Sequence, residues 1–148
     1  TRCHPFPDNQ LDIVPLLSII KCIEREVDRC KPTIVYTHHG SDLNIDHRMV
    51  SEAVVVACRP ASGVKLILFG EVPSATDYQL PYNFSPNWYE DISLTFDKKM
   101  EALMCYADEL RPFPHVRSVE AITALATYRG GMISCHRAEA FVLGRKIC

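Results

Sequence analysis

The chain has 148 residues, enough for one domain with its own apolar core, and we read residues 1–148 as a single unit. Sixteen Lys and Arg against 18 Asp and Glu leave a formal charge of −2, which excludes a generally basic nucleic-acid binder. Apolar residues at 47% and charged residues at 23% exclude a disordered chain, and no apolar run reaches the length of a membrane span.

The opening, Thr1-Arg2-Cys3-His4-Pro5-Phe6-Pro7, reads as a loop. It has neither a starting Met nor a secretory pattern, and we expect the chain to be a fragment of a longer protein. From Asp12 to Arg29, Ile13, Leu16, Leu17, Ile20, Ile23 and Val27 recur at helical spacing, with Asp12 as the expected N-cap and Pro15 in the first turn. Thr33-Ile34-Val35-Tyr36-Thr37 follows, a β-branched run without polar alternation, as expected of a strand buried on both faces of a parallel sheet. A polar loop, His38 to Asp46, leads into a helix from about His47 to Cys58. Lys65 to Val72 reads as the next buried strand, so the middle of the chain alternates helix and strand in the α/β manner. Residues 73–90, with Pro73, Pro81 and Pro86, form an irregular excursion, and Tyr89 to Ser93 a short strand. Phe96, Met100, Leu103 and Met104 mark an amphipathic helix running to about Leu110, its methionines expected in the core. Ser118 caps a further helix that turns Ile122, Leu125 and Ala126 inward and stops at Gly130-Gly131. The tail, Ala138 to Ile147, is strand or helix, with an ion pair expected between Glu139 and Arg145.

Seven cysteines are scattered singly, with no Cys-x-x-Cys pair, which excludes a zinc ribbon or a thioredoxin-type motif. They fit a reducing, cytoplasmic setting, and are expected to be small buried apolar side chains.

The densest polar cluster is His38-His39-Gly40-Ser41-Asp42-Leu43-Asn44-Ile45-Asp46-His47. It leaves the carboxyl end of a predicted strand, where α/β sheets bind ligands. Imidazole and carboxylate groups together suit a metal such as zinc. At a helix N-terminus the macrodipole disfavours imidazolium, so His47 is expected to be a neutral ring able to ligate metal. Asp46 beside it could orient a ligand's ring. The bland alternative is that Asp46 caps the helix and the histidines are solvated.

Thr33-Ile34-Val35-Tyr36-Thr37-His38-His39 followed by Asp42-Leu43-Asn44-Ile45-Asp46-His47-Arg48 resembles the second signature of the LmbE/PIG-L family of zinc-dependent N-deacetylases. Asn9 with Leu11-Asp12, Glu71-Val72-Pro73-Ser74, Phe84-Ser85-Pro86-Asn87, Asp91-Ile92-Ser93, Pro114-His115, Arg129-Gly130 and Ala138-Glu139-Ala140-Phe141 continue the likeness in order. The resemblance implies a Rossmann-like, three-layer α/β domain of the LmbE type, N-terminally truncated. It implies a mononuclear zinc site with His47 as one ligand. Two other ligands and the aspartate base belong, in that family, to a His-Pro-Asp-Asp-Glu loop with no counterpart here. His4-Pro5-Phe6-Pro7-Asp8 lacks the paired acids and is read as a chance match.

The implied reaction is zinc-assisted hydrolysis of the N-acetyl group of an amino sugar of the N-acetylglucosamine type, with an N-acetylated amino sugar or glycoconjugate as partner; from composition, no nucleic acid and no membrane span are expected. Asn44 stands where many family members carry a histidine. Its amide can hydrogen-bond an oxyanion but cannot deliver a proton, which leaves His38, His39 or His115 as candidate donors. Asn44 and Asp46 are therefore the candidate catalytic residues, His47 the metal ligand, and His39 and Glu71 the candidate substrate contacts. Trp88 and Tyr82 are expected to be ordinary loop packing, with stacking on a sugar as the alternative. One protein ligand does not make a catalytic zinc site, so this span alone is expected to be inactive. Two other readings are a non-catalytic carbohydrate-binding or interaction module, and a phosphoesterase binding metal through His38, His39, Asp42 and His47.

Overall fold

The structure is a computed structural model that describes residues 6–148, so His4, Pro5 and Cys3 lie outside the described residues. It is a mixed α/β fold with a four-stranded sheet of order β1-β2-β4-β3: β1 Ile34–His38, β2 Leu66–Gly70, β3 Trp88–Asp91 and β4 Ala138–Lys146. Four α-helices accompany it: α1 Leu16–Cys30, α2 Ile45–Ala57, α3 Phe96–Met104 and α4 Val119–Gly131. The chain divides into two compact units, one formed by residues up to Ser85 with Val142–Cys148, the other by Pro86–Phe141. No helix among the described residues is long and apolar enough to cross a membrane.

In the first unit, helix α1 starts later than its apolar spacing suggests. Asp12 sits in a 3-10 turn, Leu11–Ile13, and Pro15 occupies the N-cap position without a side-chain cap. Ile13 is therefore outside the helical period and exposed; Leu17, about 100° around the helix from Leu16, is exposed as well. Ile19, Ile20, Cys22 and Val27 are the residues α1 buries. The helix ends at Lys31, whose backbone turns left-handed (φ 47°) while its N–H closes on the Val27 carbonyl at 2.8 Å; Pro32 cannot continue a helix.

Helix α2 packs on α1 through the small side chains of Ala53 and Ala57, which meet Leu11, Ile19 and Ile20. Further along, Val54 and Cys58 join Val27, Val64 and Ile67. Strands β1 and β2 run parallel and in register, from Ile34 beside Leu66 to His38 beside Gly70. Ile67 and Leu68 are buried, as expected for β2. Strand β1 is not buried on both faces: it is the outermost strand, and Ile34 and Tyr36 remain 46% and 54% exposed. A β-branched run reports strand propensity, and burial depends on what covers the strand.

In the second unit β3 and β4 pair antiparallel, Trp88 opposite Phe141 and Asp91 opposite Ala138, so the sheet is mixed rather than wholly parallel. Ser118 caps α4 by accepting the Ala121 N–H at 3.1 Å, and Ile122 and Ala126 are buried as expected. At Gly130 a side chain would meet the Cys135 carbonyl oxygen at 2.7 Å, so only glycine fits where the chain folds back. Helix α3 ends at Met104 and has no buried residue; Met104 is exposed, which corrects the core assignment of the methionine pair. The expected Glu139–Arg145 pair does not form. Glu139 pairs with Lys99 at 2.6 Å, and Arg145 donates to the Cys58 carbonyl. Among the described residues only Cys22 and Cys58 are buried thiols, whereas Cys30, Cys105 and Cys148 are exposed, so most of the described thiols are not core residues.

Replacing Leu68, fully buried in β2, by Ala is expected to cost about 2–5 kcal/mol in urea unfolding. Leu17→Ala, at an exposed site, should change stability by about 0.5 kcal/mol or less.

Candidate functional site

Because β1 and β2 are parallel and in register, both release the chain at the same end. Residues 39–44 leave β1 there and residues 71–76 leave β2, and the two segments bond: Leu43 N–H donates to the Ala75 carbonyl at 3.2 Å. Asp42 lies between them with 0% exposure. One carboxylate oxygen, Oδ1, accepts the Asn44 N–H at 2.9 Å; the other, Oδ2, accepts the Thr76 hydroxyl at 3.1 Å. Arg48 braces the same loop by donating to the carbonyls of Asp42 and Leu43 at 2.8 and 2.7 Å.

Asn44, Asp46 and His47 all fall at the start of α2. Asn44 is the N-cap: its Oδ1 accepts the N–H groups of Asp46 (2.8 Å) and His47 (3.3 Å), and its Nδ2 donates to Asn9 Oδ1 at 3.0 Å. The alternative in which Asp46 caps the helix is thereby corrected. Asp46 instead accepts the Leu11 N–H at 2.9 Å and pins the entry to α1. The orienting place beside His47 belongs to Asp42, whose Oδ2 is 3.1 Å from His47 Nδ1. That nitrogen is buried, and no hydrogen bond of good geometry reaches it. The His47 ring also lies flat on His38, with centroids 3.8 Å apart and planes 2° from parallel.

His39 is held differently. Its Nδ1 accepts the Ser41 N–H at 3.3 Å with the Ser41 hydroxyl 2.8 Å away, which puts the neutral ring's proton on Nε2. Phe84 and Phe69 meet the ring edge-on. His39 and Ser41 line one end of a cleft of about 700 Å³ whose walls are mainly apolar, with Ile45, Met49, Val55 and Phe69 among them. His47 does not line this cleft. Glu71 directly follows β2, at the same end as the His38–His47 loop. Tyr82 is exposed in the excursion, and Trp88 donates its indole N–H to Glu90 at 2.6 Å within the second unit. There, too, His115 Nδ1 accepts the Arg117 N–H at 3.0 Å.

Burial lowers the pKa of His38, with the neighbouring His47 adding to the effect and Asp42 opposing it. Burial also lowers that of His39, again against Asp42. In both rings burial thus favours the neutral form over the imidazolium.

A zinc hydrolase needs three protein ligands around an open position. Among the described residues, no three His, Cys, Asp or Glu side chains converge to hold a metal, and the four-residue set of the phosphoesterase reading is not assembled. What the structure supplies is one imidazole with a buried carboxylate oxygen 3.1 Å from its Nδ1, close to the carboxylate–histidine pairing of metal sites but without its in-line hydrogen bond. The described residues fit one ligand of a centre and not the whole of it.

The chain's sequence matches no protein-family model and is not significantly similar to any curated protein. Solved structures share its fold. The conserved protein TT1542 from Thermus thermophilus is 24% identical with a TM-score of 0.72, over 97% of this chain and 64% of that one. The N,N'-diacetylchitobiose deacetylase from Pyrococcus horikoshii, complexed with its inhibitor MPG, is 16% identical with a TM-score of 0.67, over 93% of this chain and 54% of that one. The antimicrobial reagent A40926 pseudoaglycone deacetylase Dbv21 is 18% identical with a TM-score of 0.66, over 90% and 58%. The chain thus spans less than two-thirds of each of these proteins, and at such identities the likeness establishes the fold.

Two outcomes follow from the site's geometry. Asn44→Ala removes the α2 cap and should cost about 1 kcal/mol in thermal unfolding, whereas Asn44→Asp, which keeps the cap but loses the bond to Asn9, should recover only part of that loss. As pH falls, the unfolded chain protonates His39 before the folded chain does. Stability is then full above about pH 6.5 and declines below it, and His39→Gln should flatten this decline in urea midpoints compared at about pH 7.5 and 5.5. The change will be small, because the ring is only partly buried.

Proposed function

We propose that this chain forms part of a cytoplasmic, zinc-dependent N-deacetylase of the LmbE/PIG-L kind. Its substrate is an amino sugar of the N-acetylglucosamine type, free or within a glycoconjugate. The observation that carries the reading is His47, held at the carboxyl end of a parallel strand pair with the buried Asp42 carboxylate 3.1 Å from Nδ1. The fold shared with two deacetylases supports it. Scattered single thiols support a reducing location.

In this reading His47 supplies one zinc ligand. The chemistry zinc contributes when bound is polarisation of the acetamide carbonyl. Asn44 has two amide N–H groups; one is engaged by Asn9, and the other is the candidate donor to the oxyanion. Asp46 acts by keeping the α1 entry against the first turn of α2. His39, protonated on Nε2, and Glu71, at the end of β2, are the candidate contacts for sugar hydroxyls.

The lack of a three-ligand cluster among the described residues favours one second reading, a carbohydrate-binding or interaction module that uses the scaffold without the metal.

The test is zinc stoichiometry together with acetate release from N-acetylglucosamine oligosaccharides. It is to be run on the 148-residue chain and on the protein at the length its source expresses. The 148-residue chain should bind zinc weakly and release no acetate. The natural-length protein should hydrolyse the substrate and lose at least about 100-fold in rate with His47→Ala. Sugar binding without hydrolysis at natural length would favour the module. Tight one-to-one zinc binding by the 148 residues, lost in His47→Ala, would show that the loop builds a metal site unaided.

A further inference from the structure

We infer that Thr76 is a positioning residue for His47, acting through Asp42 to keep the imidazole proton on Nδ1 and leave Nε2 as the unprotonated nitrogen. The inference rests on the proposed role of His47, but its geometry stands on its own. Thr76 is 2% exposed and Asp42 0% exposed. The Thr76 oxygen accepts the Val72 N–H at 2.8 Å, and its single hydrogen points to Asp42 Oδ2 at 3.1 Å. A hydroxyl has one proton to give, so with the Val72 N–H on its oxygen, Thr76 is fixed as donor to the carboxylate. The Asn44 N–H holds the other oxygen. Anchored from both sides, the carboxylate cannot turn away from His47, and Oδ2 stays 3.1 Å from Nδ1. A lone pair on Nδ1 would face this negative charge, whereas an N–H there is attracted to it, so the tautomer is decided electrostatically even without an in-line hydrogen bond. His39 has the opposite tautomer, set by Ser41. Thr76 also ties the turn after β2, which carries Glu71, to the loop after β1.

The test is the tautomer of His47, read from long-range proton–nitrogen correlations of the histidine-labelled, metal-free 148-residue chain at about pH 8, where free imidazoles are neutral. Wild type should show His47 protonated on Nδ1 and His39 on Nε2. Thr76→Val should erase the preference at His47 and leave His39 unchanged, while Thr76→Ser, which keeps the hydroxyl, should restore it. A folded Thr76→Val chain with the wild-type pattern would overturn the inference, as would a wild-type His47 protonated on Nε2. If Thr76→Val does not fold, the wild-type Thr76 hydroxyl proton decides. Slow exchange with solvent supports a bond to the buried carboxylate, and fast exchange overturns it. Acetate release plays no part in these readouts, so failure of the deacetylase reading would show in the activity assay and not here.

Discussion

The carboxylate of Asp42 is the group on which the candidate site depends. A fully buried charge is costly unless donors surround it, and here a backbone N–H and a hydroxyl from two different loops provide them. Breaking either contact leaves a buried charge partly unsatisfied, so the two loops are held together by the same requirement that keeps Asp42 in place. The result is a carboxylate of fixed orientation beside a histidine, in a segment that would otherwise be a polar surface loop.

The fold makes this possible through register. Two parallel strands paired residue for residue end side by side, and whatever follows them must share the same small volume. Helix α2 then begins at once, capped by Asn44, so its first turn delivers Asp46 and His47 to that volume with fixed backbone geometry. Asp46 points to Leu11 rather than to His47, which joins the start of α1 to the start of α2 and leaves the imidazole to Asp42. The packing of α1 on Ala53 and Ala57 sets how close that entry segment can come.

The three solved structures that share this fold belong to chains considerably longer than this one, and two of those proteins are deacetylases. The geometry within the 148 residues agrees with one histidine ligand supported by a carboxylate, and it does not assemble a metal centre from the described residues alone. Outside the His47 corner, His39 faces a mainly apolar cleft as an edge-packed ring whose pKa burial lowers. His39 and His47 thus differ in partner and surroundings, though they come, with His38, from one short polar run.

Local rules were enough for the elements that local physics decides. The β2 strand, the Ser118 cap and the position of α2 within two residues all follow from spacing, propensity and capping chemistry. The polar run at 38–47 likewise marks itself as the place to look. Burial and pairing across the chain are different, because they depend on what arrives from elsewhere. The exposure of Ile34 and Tyr36 depends on β1 being outermost, and the partner of Glu139 on where α3 carries Lys99. The choice of Asp42 over Asp46 as the neighbour of His47 turns on helix phase and on a threonine 34 residues away. Thr76 has no sequence signature at all: one of two hydroxyls in a proline-containing turn, it becomes significant only when parallel pairing brings that turn against a buried carboxylate. Sequence by itself determined which segments form elements and where the polar chemistry gathers, since both depend on neighbouring residues. Only the tertiary structure decided which groups touch, because contact between distant segments is set by strand register and helix phase.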